Sequence, residues 1–187
     1  MAELADGHNG LWYQWTPLNA GSAAYEDIAA AIEEFESLET PAGDAATVWL
    51  KQHALANHPS SITYLLLLDG RLEGYFAMVS SSLELTQRRR KTLRPGEKDY
   101  PLDPTQGASL VAWIARNRHG TLPGRHLVTY AISIALEVAA HQGTVALVLD
   151  PYDEATGNEW AKKYGFKSAR TPDGLRPRLW LPLHPAE

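Results

Sequence analysis

The chain has 187 residues, 44% hydrophobic and 21% charged, with a formal net charge of -5. Such a composition is ordinary for a soluble globular domain, and the length is enough to bury a full core. The negative charge argues against a surface that binds nucleic acid everywhere, and the lack of cysteine excludes disulfides and thiolate metal sites. No apolar run approaches the ~20 residues of a membrane span. The N-terminal MAELADGHNG is acidic and has no signal-peptide core, so a cytoplasmic location is expected.

In chain order, residues 1–10 read as a frayed tail. Leu11–Leu18 carries three aromatics and Pro17, the pattern of an edge strand rather than of an aromatic ligand platform. Ser22–Leu38 repeats apolar residues at helical spacing (Ile28, Ile32, Phe35) and has an acidic opposite face. Thr40-Pro41 breaks the pattern, and a second helix is expected over Ala45–Ala56. His53 and His58 fall here without metal-ligand spacing and read as surface residues. Ser61–Leu68 is a continuous apolar run, as in a strand covered on both faces. Asp69-Gly70 is a two-residue hairpin turn, and Arg71–Leu85 returns as a long strand. Gly74 within it predicts a bulge or a close backbone approach.

Residues 86–105 change character, with a basic cluster (Arg88, Arg89, Arg90, Lys91, Arg94) and three prolines. They read as a long solvated loop. The sharper reading is a local positive patch that contacts phosphate or RNA.

The stretch Ser109–Leu127, SLVAWIARNRHGTLPGRHL, organises the rest of the chain. An apolar strand ends at Arg116-Asn117, a loop with two glycines and a proline comes next, and a helix starts near Gly124 and runs to about His141. Leu127, Tyr130, Ile134 and Val138 mark its apolar face, widened by Ile132 and Leu136. Gly143 ends the helix, and Thr144–Leu149 is a second buried strand, giving a parallel β-α-β crossover over Leu110–Leu149. Strand, glycine turn and helix N-terminus together present backbone N–H groups to an anion. Asp150–Asp153 is a turn, and Glu154–Tyr164 is a helix stopped by Gly165. Phe166–Ala169 and Arg178–Leu183 are closing strands. Asp150, Asp153 and Glu154 resemble a metal cluster only superficially. They read as a turn and a helix cap, so no metal site is expected.

The hairpin YLLLLDGRLEGYFAMVS, the central LVAWIARNRHGTLPGRHL and the late EWAKKYGF, in this order and spacing, resemble the GNAT N-acetyltransferase superfamily. The resemblance covers most of the chain from Ser61 onward and is closest to toxin-type members. It implies one α/β domain over residues 1–187, with α+β mixing. The sheet would be central, mixed and mostly antiparallel, in a three-layer α/β/α arrangement with a splayed parallel β-α-β core. It further implies that acetyl-CoA is the cosubstrate and that a primary amine is the acceptor: a small molecule, a protein or aminoacyl-tRNA. The pantetheine arm would lie along Trp113, Ile114, Ala115 and Arg116. The pyrophosphate would sit on the N–H groups from Leu122 through Gly124, Arg125, His126 and Leu127, with side-chain help from Arg118, His119, Arg125 and His126.

Two departures from the family pattern stand out. Leu122 replaces the first glycine of the R/Q-x-x-G-x-G/A loop, and Pro123 removes a donor. Ala161 occupies the place where many members carry a tyrosine thought to protonate the departing thiolate; Tyr164 is one turn further on. For the acceptor's proton, Glu84, Glu73 and Asp103 are candidate bases, each otherwise read as a surface charge. The resemblance thus implies direct acetyl transfer, with Tyr164 and Glu84 as candidate catalytic residues; an RNA contact through Arg88, Arg89 and Arg90 is the sharper alternative to a solvated basic loop. The alternative is a non-catalytic CoA-binding or protein-interaction module of the same fold. A homodimer and an antitoxin partner are left open.

Overall fold

The computed structural model describes residues 3–5, 11–15, 24–54, 60–90, 93, 104–170 and 177–183. Asp103, His58, Lys91 and Arg94 lie outside these, as does the side chain of Arg90. Two units pack separately, residues 1–78 with 113–129 and residues 79–112 with 130–187. The second long strand, the central strand and the helix after it each run through both.

The first unit begins with strands β1 (Glu3–Ala5) and β2 (Leu11–Trp15). They pair antiparallel, Leu4 opposite Trp12. The frayed tail expected from the acidic N-terminus is therefore wrong for Glu3–Ala5, which gain ladder hydrogen bonds from β2. In turn, β2 pairs antiparallel with β3 (Ser61–Leu68), Tyr13 opposite Leu65. Strand β3 turns through Asp69-Gly70, both at positive φ, into β4 (Arg71–Glu84). Residues Leu72–Met78 are all buried, as a strand covered on both faces requires.

Two helices cover this hairpin. Helix α1 spans Ala24–Glu33, five residues shorter than the periodicity predicts at its C-terminal end. Its last turn has no basic residue, and Glu33, Glu34 and Glu36 would crowd the negative end of the helix dipole. Instead the chain leaves the helix, and the Ser37 N–H donates to Thr47 Oγ1 at 3.0 Å. Helix α2 is Pro41–His53, starting four residues before the expected Ala45. Thr40-Pro41, read as a breaker, is a start signal. Thr40 caps the Gly43 N–H, and proline at the first helical position forfeits only an orphan donor. Ile28, Ile32, Phe35, Leu50, Leu65, Leu72 and Tyr75 form the core. Each large side chain buried there is worth about 1.5–3 kcal/mol.

The second unit takes in β5 (Thr105–Arg116) as far as Ala112, and this strand starts well before the expected Leu110. A short helix, α3 (Gln87–Arg90), sits in the region read as pure loop. Helix α4 (Gly124–Gln142) ends at Gly143, whose φ of 70° is the left-handed value a C-terminal glycine supplies. Its buried stripe is Leu127, Val128, Ala131, Ile134 and Ala135. The two alanines belong to the packed face, where their small size permits close approach; Leu136, expected there, is 39% exposed. Strand β6 (Ala146–Leu149) lies parallel to β5, from Ala108 opposite Ala146 to Val111 opposite Leu149. Helix α5 (Glu154–Tyr164) is capped by Asp153 on the Thr156 N–H and closed by Gly165 at φ 77°. The hairpin of β7 (Lys167–Arg170) and β8 (Pro177–Pro182) completes the unit, with β8 antiparallel to β6. Arg178 is buried and makes a bidentate pair with Asp150, Nε to Oδ1 and a terminal nitrogen to Oδ2, both at 2.7 Å.

Candidate functional site

The site predicted on Ser109–Leu127 takes shape in the first unit from the C-terminal end of β5, the loop after it and the start of α4. The β5–β6 ladder ends at Val111 and β6 itself ends at Leu149, so β5 continues beyond it through Trp113, Ile114, Ala115 and Arg116. Trp113 is half-buried and stacks on Trp49 with centroids 5.5 Å apart, and Trp49 stacks on Tyr75 at 5.9 Å. Tyr75 is fully buried; its hydroxyl donates to Ala46 O at 2.7 Å, and burial pushes its pKa up. This aromatic column fixes the strand from the helix side.

The loop is held by two residues whose role the sequence did not reveal. Asn117 is buried; its N–H donates to Glu73 O at 2.8 Å and its side-chain amide to Leu72 O at 2.9 Å. Its Oδ1 accepts from the His119 N–H at 3.0 Å. Glu73, read as a candidate base or a surface charge, is only 1% exposed. Its Oε2 accepts the N–H of Thr121 at 2.6 Å and of Leu122 at 3.0 Å, and Oε1 accepts Arg71 Nε at 2.8 Å. Burial pushes the Glu73 carboxyl up, but the bonds from Arg71, Leu122 and Thr121 outweigh it and hold it below the usual carboxylate range. The signal was present in the sequence: one carboxylate between Leu72 and Gly74, inside a run otherwise suited to a strand buried on both faces.

These contacts narrow the donor set. Leu122, expected to offer its N–H to a pyrophosphate, gives it to Glu73. The His126 N–H donates back to Pro123 O at 2.9 Å, and the Leu127 side chain is in the core. Gly124 and Arg125, at the start of a 19-residue helix, have no intrahelical acceptor for their N–H groups. A Cβ built on Gly124 would meet only Arg116 Cδ, at 3.8 Å, so a ligand can come close to the backbone there. The site thus suits a pyrophosphate on a shorter set of amides than the full loop would supply, with the exposed Arg125 beside it. Arg118 and His119 are directed elsewhere. Arg118 pairs with Glu36 and Glu39, and His119 Nε2 lies 3.3 Å from Glu36 Oε2. A hydrogen bond from His119, then the Arg118 charge, holds the Glu36 carboxyl below its ordinary range.

The remaining candidates lie in the second unit. Glu84 is exposed at the end of β4. Tyr164 ends α5, half-buried and edge-on to Trp160 with centroids 5.4 Å apart, and Lys163 Nζ lies 5.4 Å over its ring. Arg88 and Arg89, both exposed, line an open cleft of about 390 Å³ with Thr86, Lys167, Ser168 and Trp180. Among the described residues no group of His, Asp or Glu could hold a metal, and no helix is long and apolar enough to cross a membrane.

No protein-family model and no curated protein matches the chain by sequence. Solved structures do match it. AtaT complexed with acetyl-methionyl-tRNAfMet superposes with a TM-score of 0.68 at 17% identity, over 92% of this chain and 94% of that one. The fold is GNAT-like. A tyrosine-to-phenylalanine variant of KacT gives a TM-score of 0.67 at 16% identity, covering 94% and 96% of the two chains. AtaT bound with the C-terminus of the antitoxin AtaR and acetyl-CoA gives 0.63 at 17%, covering 93% of each. In this GNAT-like fold the elements expected from Ser61 onward occur in the expected order: hairpin, parallel crossover, late helix and closing hairpin.

Proposed function

We propose that this chain is an acetyl-CoA-dependent N-acetyltransferase that moves an acetyl group directly to a primary amine, in the cytoplasm. The observation that carries the reading is the end of β5 running past β6 into a glycine-containing loop and the free amides of a long helix. An extended strand edge can hydrogen-bond the amides of a pantetheine arm, and Trp113–Arg116 supply that edge. Gly124 and Arg125 then take the pyrophosphate. In the reaction the amine nitrogen attacks the acetyl carbonyl, the C–N bond forms as the C–S bond breaks, the amine loses a proton and the CoA thiolate takes one. Much of the rate comes from holding the two reactants together. Helix α5 holds one phenol, Tyr164, as a candidate acid, and Glu84 is the candidate base at the end of β4.

The acceptor we favour is an aminoacyl-tRNA. AtaT has been captured with acetyl-methionyl-tRNAfMet, and the cleft between Arg88, Arg89 and Lys167 supplies cations for a phosphate backbone in a protein that is acidic overall. An antitoxin partner belongs to the same reading, since AtaT binds the C-terminus of AtaR. The second reading is a non-catalytic module, favoured by Ala161 and by the commitment of the Leu122 N–H to Glu73.

Calorimetric titration with acetyl-CoA separates the two, followed by thiol release across a panel of amines that includes charged tRNAs. No binding at millimolar acetyl-CoA removes the enzyme reading; binding without thiol release favours the module. For the RNA, Arg88→Ala with Arg89→Ala should flatten the plot of log affinity against log salt by about 1.4–1.8, given about 0.7–0.9 per phosphate contact. An unchanged slope means the cleft is not the contact.

A further inference from the structure

The Glu73 carboxylate sits where an anion would be expected, on consecutive loop N–H groups, yet it is part of the protein and sealed from solvent. The loop has adapted to it. A Cβ on Gly120 would lie 2.6 Å from Glu73 Oε2, so glycine is the residue that lets the carboxylate in. Arg71 clamps the other oxygen, and Thr121 adds its hydroxyl at 3.3 Å. The Asn117 N–H ties the loop to the backbone of the same residue, Glu73. With both amides drawn inward, the chain is turned so that Gly124 and Arg125, just after Pro123, open the helix. We infer that Glu73 is a positioning residue: it fixes residues 120–122 from beneath and so sets where the amides of Gly124 and Arg125 meet the cofactor's pyrophosphate. The inference rests on the proposed acetyl-CoA binding. It gives a physical reason for Leu122 where a glycine would be the family's choice: an amide aimed into the protein at an internal carboxylate does not need to admit a ligand.

Two variants test it, read by hydrogen exchange and by steady-state kinetics with acetyl-CoA. Glu73→Gln keeps the size but replaces one acceptor oxygen by a donor facing N–H groups. Gly120→Ala keeps the charge but pushes the carboxylate off the amides. In each, exchange at Thr121 and Leu122 should speed up about tenfold or more, the scale of losing a hydrogen bond to a charged group, while Tyr75 and Phe76 keep their protection. The KM for acetyl-CoA should rise about tenfold with kcat within about twofold. A merely structural contribution would instead speed exchange at all these positions together and leave KM unchanged, which would overturn the role. So would unchanged protection at Thr121 and Leu122, or tighter acetyl-CoA binding by Glu73→Gln, the result expected if its charge only repels the ligand. Failure of the unmodified protein to bind acetyl-CoA would instead remove the cofactor reading, and the role with it.

Discussion

Gly74 gives the sharpest test of how the site is packed. A methyl group on its Cα would fall 2.9 and 3.0 Å from the two Leu127 Cδ atoms and 3.1 Å from the Ala115 carbonyl oxygen. The carbonyl belongs to β5 and cannot yield without moving the strand. Leu127 is 2% exposed and has little room to rotate. Overpacking of this kind costs about 1–3 kcal/mol, so Gly74→Ala should lower the melting temperature by roughly 2–12 °C, at about 2–4 °C per kcal/mol for this chain length. Leu127→Ala alone should cost about 2–4 kcal/mol through the cavity it leaves. It also removes two of the three close contacts. The double variant should therefore fall short of additivity by about 1 kcal/mol in urea unfolding, read as the shift in midpoint at constant slope. Strict additivity, or an unchanged midpoint for Gly74→Ala, would show that β4, β5 and α4 are not packed as described.

Tyr75→Phe should cost about 1 kcal/mol, the worth of one buried neutral hydrogen bond to Ala46 O, and leave the stack with Trp49 in place; chemical denaturation reads it, and no loss would mean the bond contributes nothing net. Arg178→Met leaves the Asp150 carboxylate unpaired. Because that side chain is 30% exposed, the loss should be about 2 kcal/mol rather than the 3–5 of a fully buried pair, again by denaturation. For pH, a carboxyl held low in the folded state stabilises it above the unfolded value and loses that stabilisation as pH falls through the folded value. The stability gap between the native chain and Glu73→Gln should therefore be constant from neutrality to about pH 4.5 and shrink below it. Arg71 is the charged group that faces Glu73. A gap independent of pH down to acid unfolding would refute the carboxylate's part.

Much of the architecture is written locally. The apolar run of β3, the Asp69-Gly70 turn, the long return strand β4 and the glycine stops at Gly143 and Gly165 depend on neighbours in sequence, and each forms where periodicity and turn chemistry place it. The geometry of the candidate site was legible in part: strand, loop and helix start were visible as a pattern, and Gly74 as a close approach. Local pattern misled where a longer-range partner decided the outcome. Helix α1 stops early because Thr47, ten residues beyond Ser37, takes the Ser37 N–H; Thr40-Pro41, by contrast, is a local start signal read as a breaker, since Thr40 caps the Gly43 amide. Glu3–Ala5 are ordered by pairing with β2. The alanines of α4 count as core only once a face is packed against them. Above all, hydropathy gives Glu73 no partner. Only folding brings residues 73, 120, 121 and 122 together, 48 positions apart in the Thr121 bond, and turns a charge expected at the surface into the anchor of the loop. The sequence by itself determined most of the elements, their order and the chemistry they could carry, but not β1 or α3. Tertiary structure decided which amides remain for a ligand, because an N–H can be given once, and contacts distant in sequence had first claim on it.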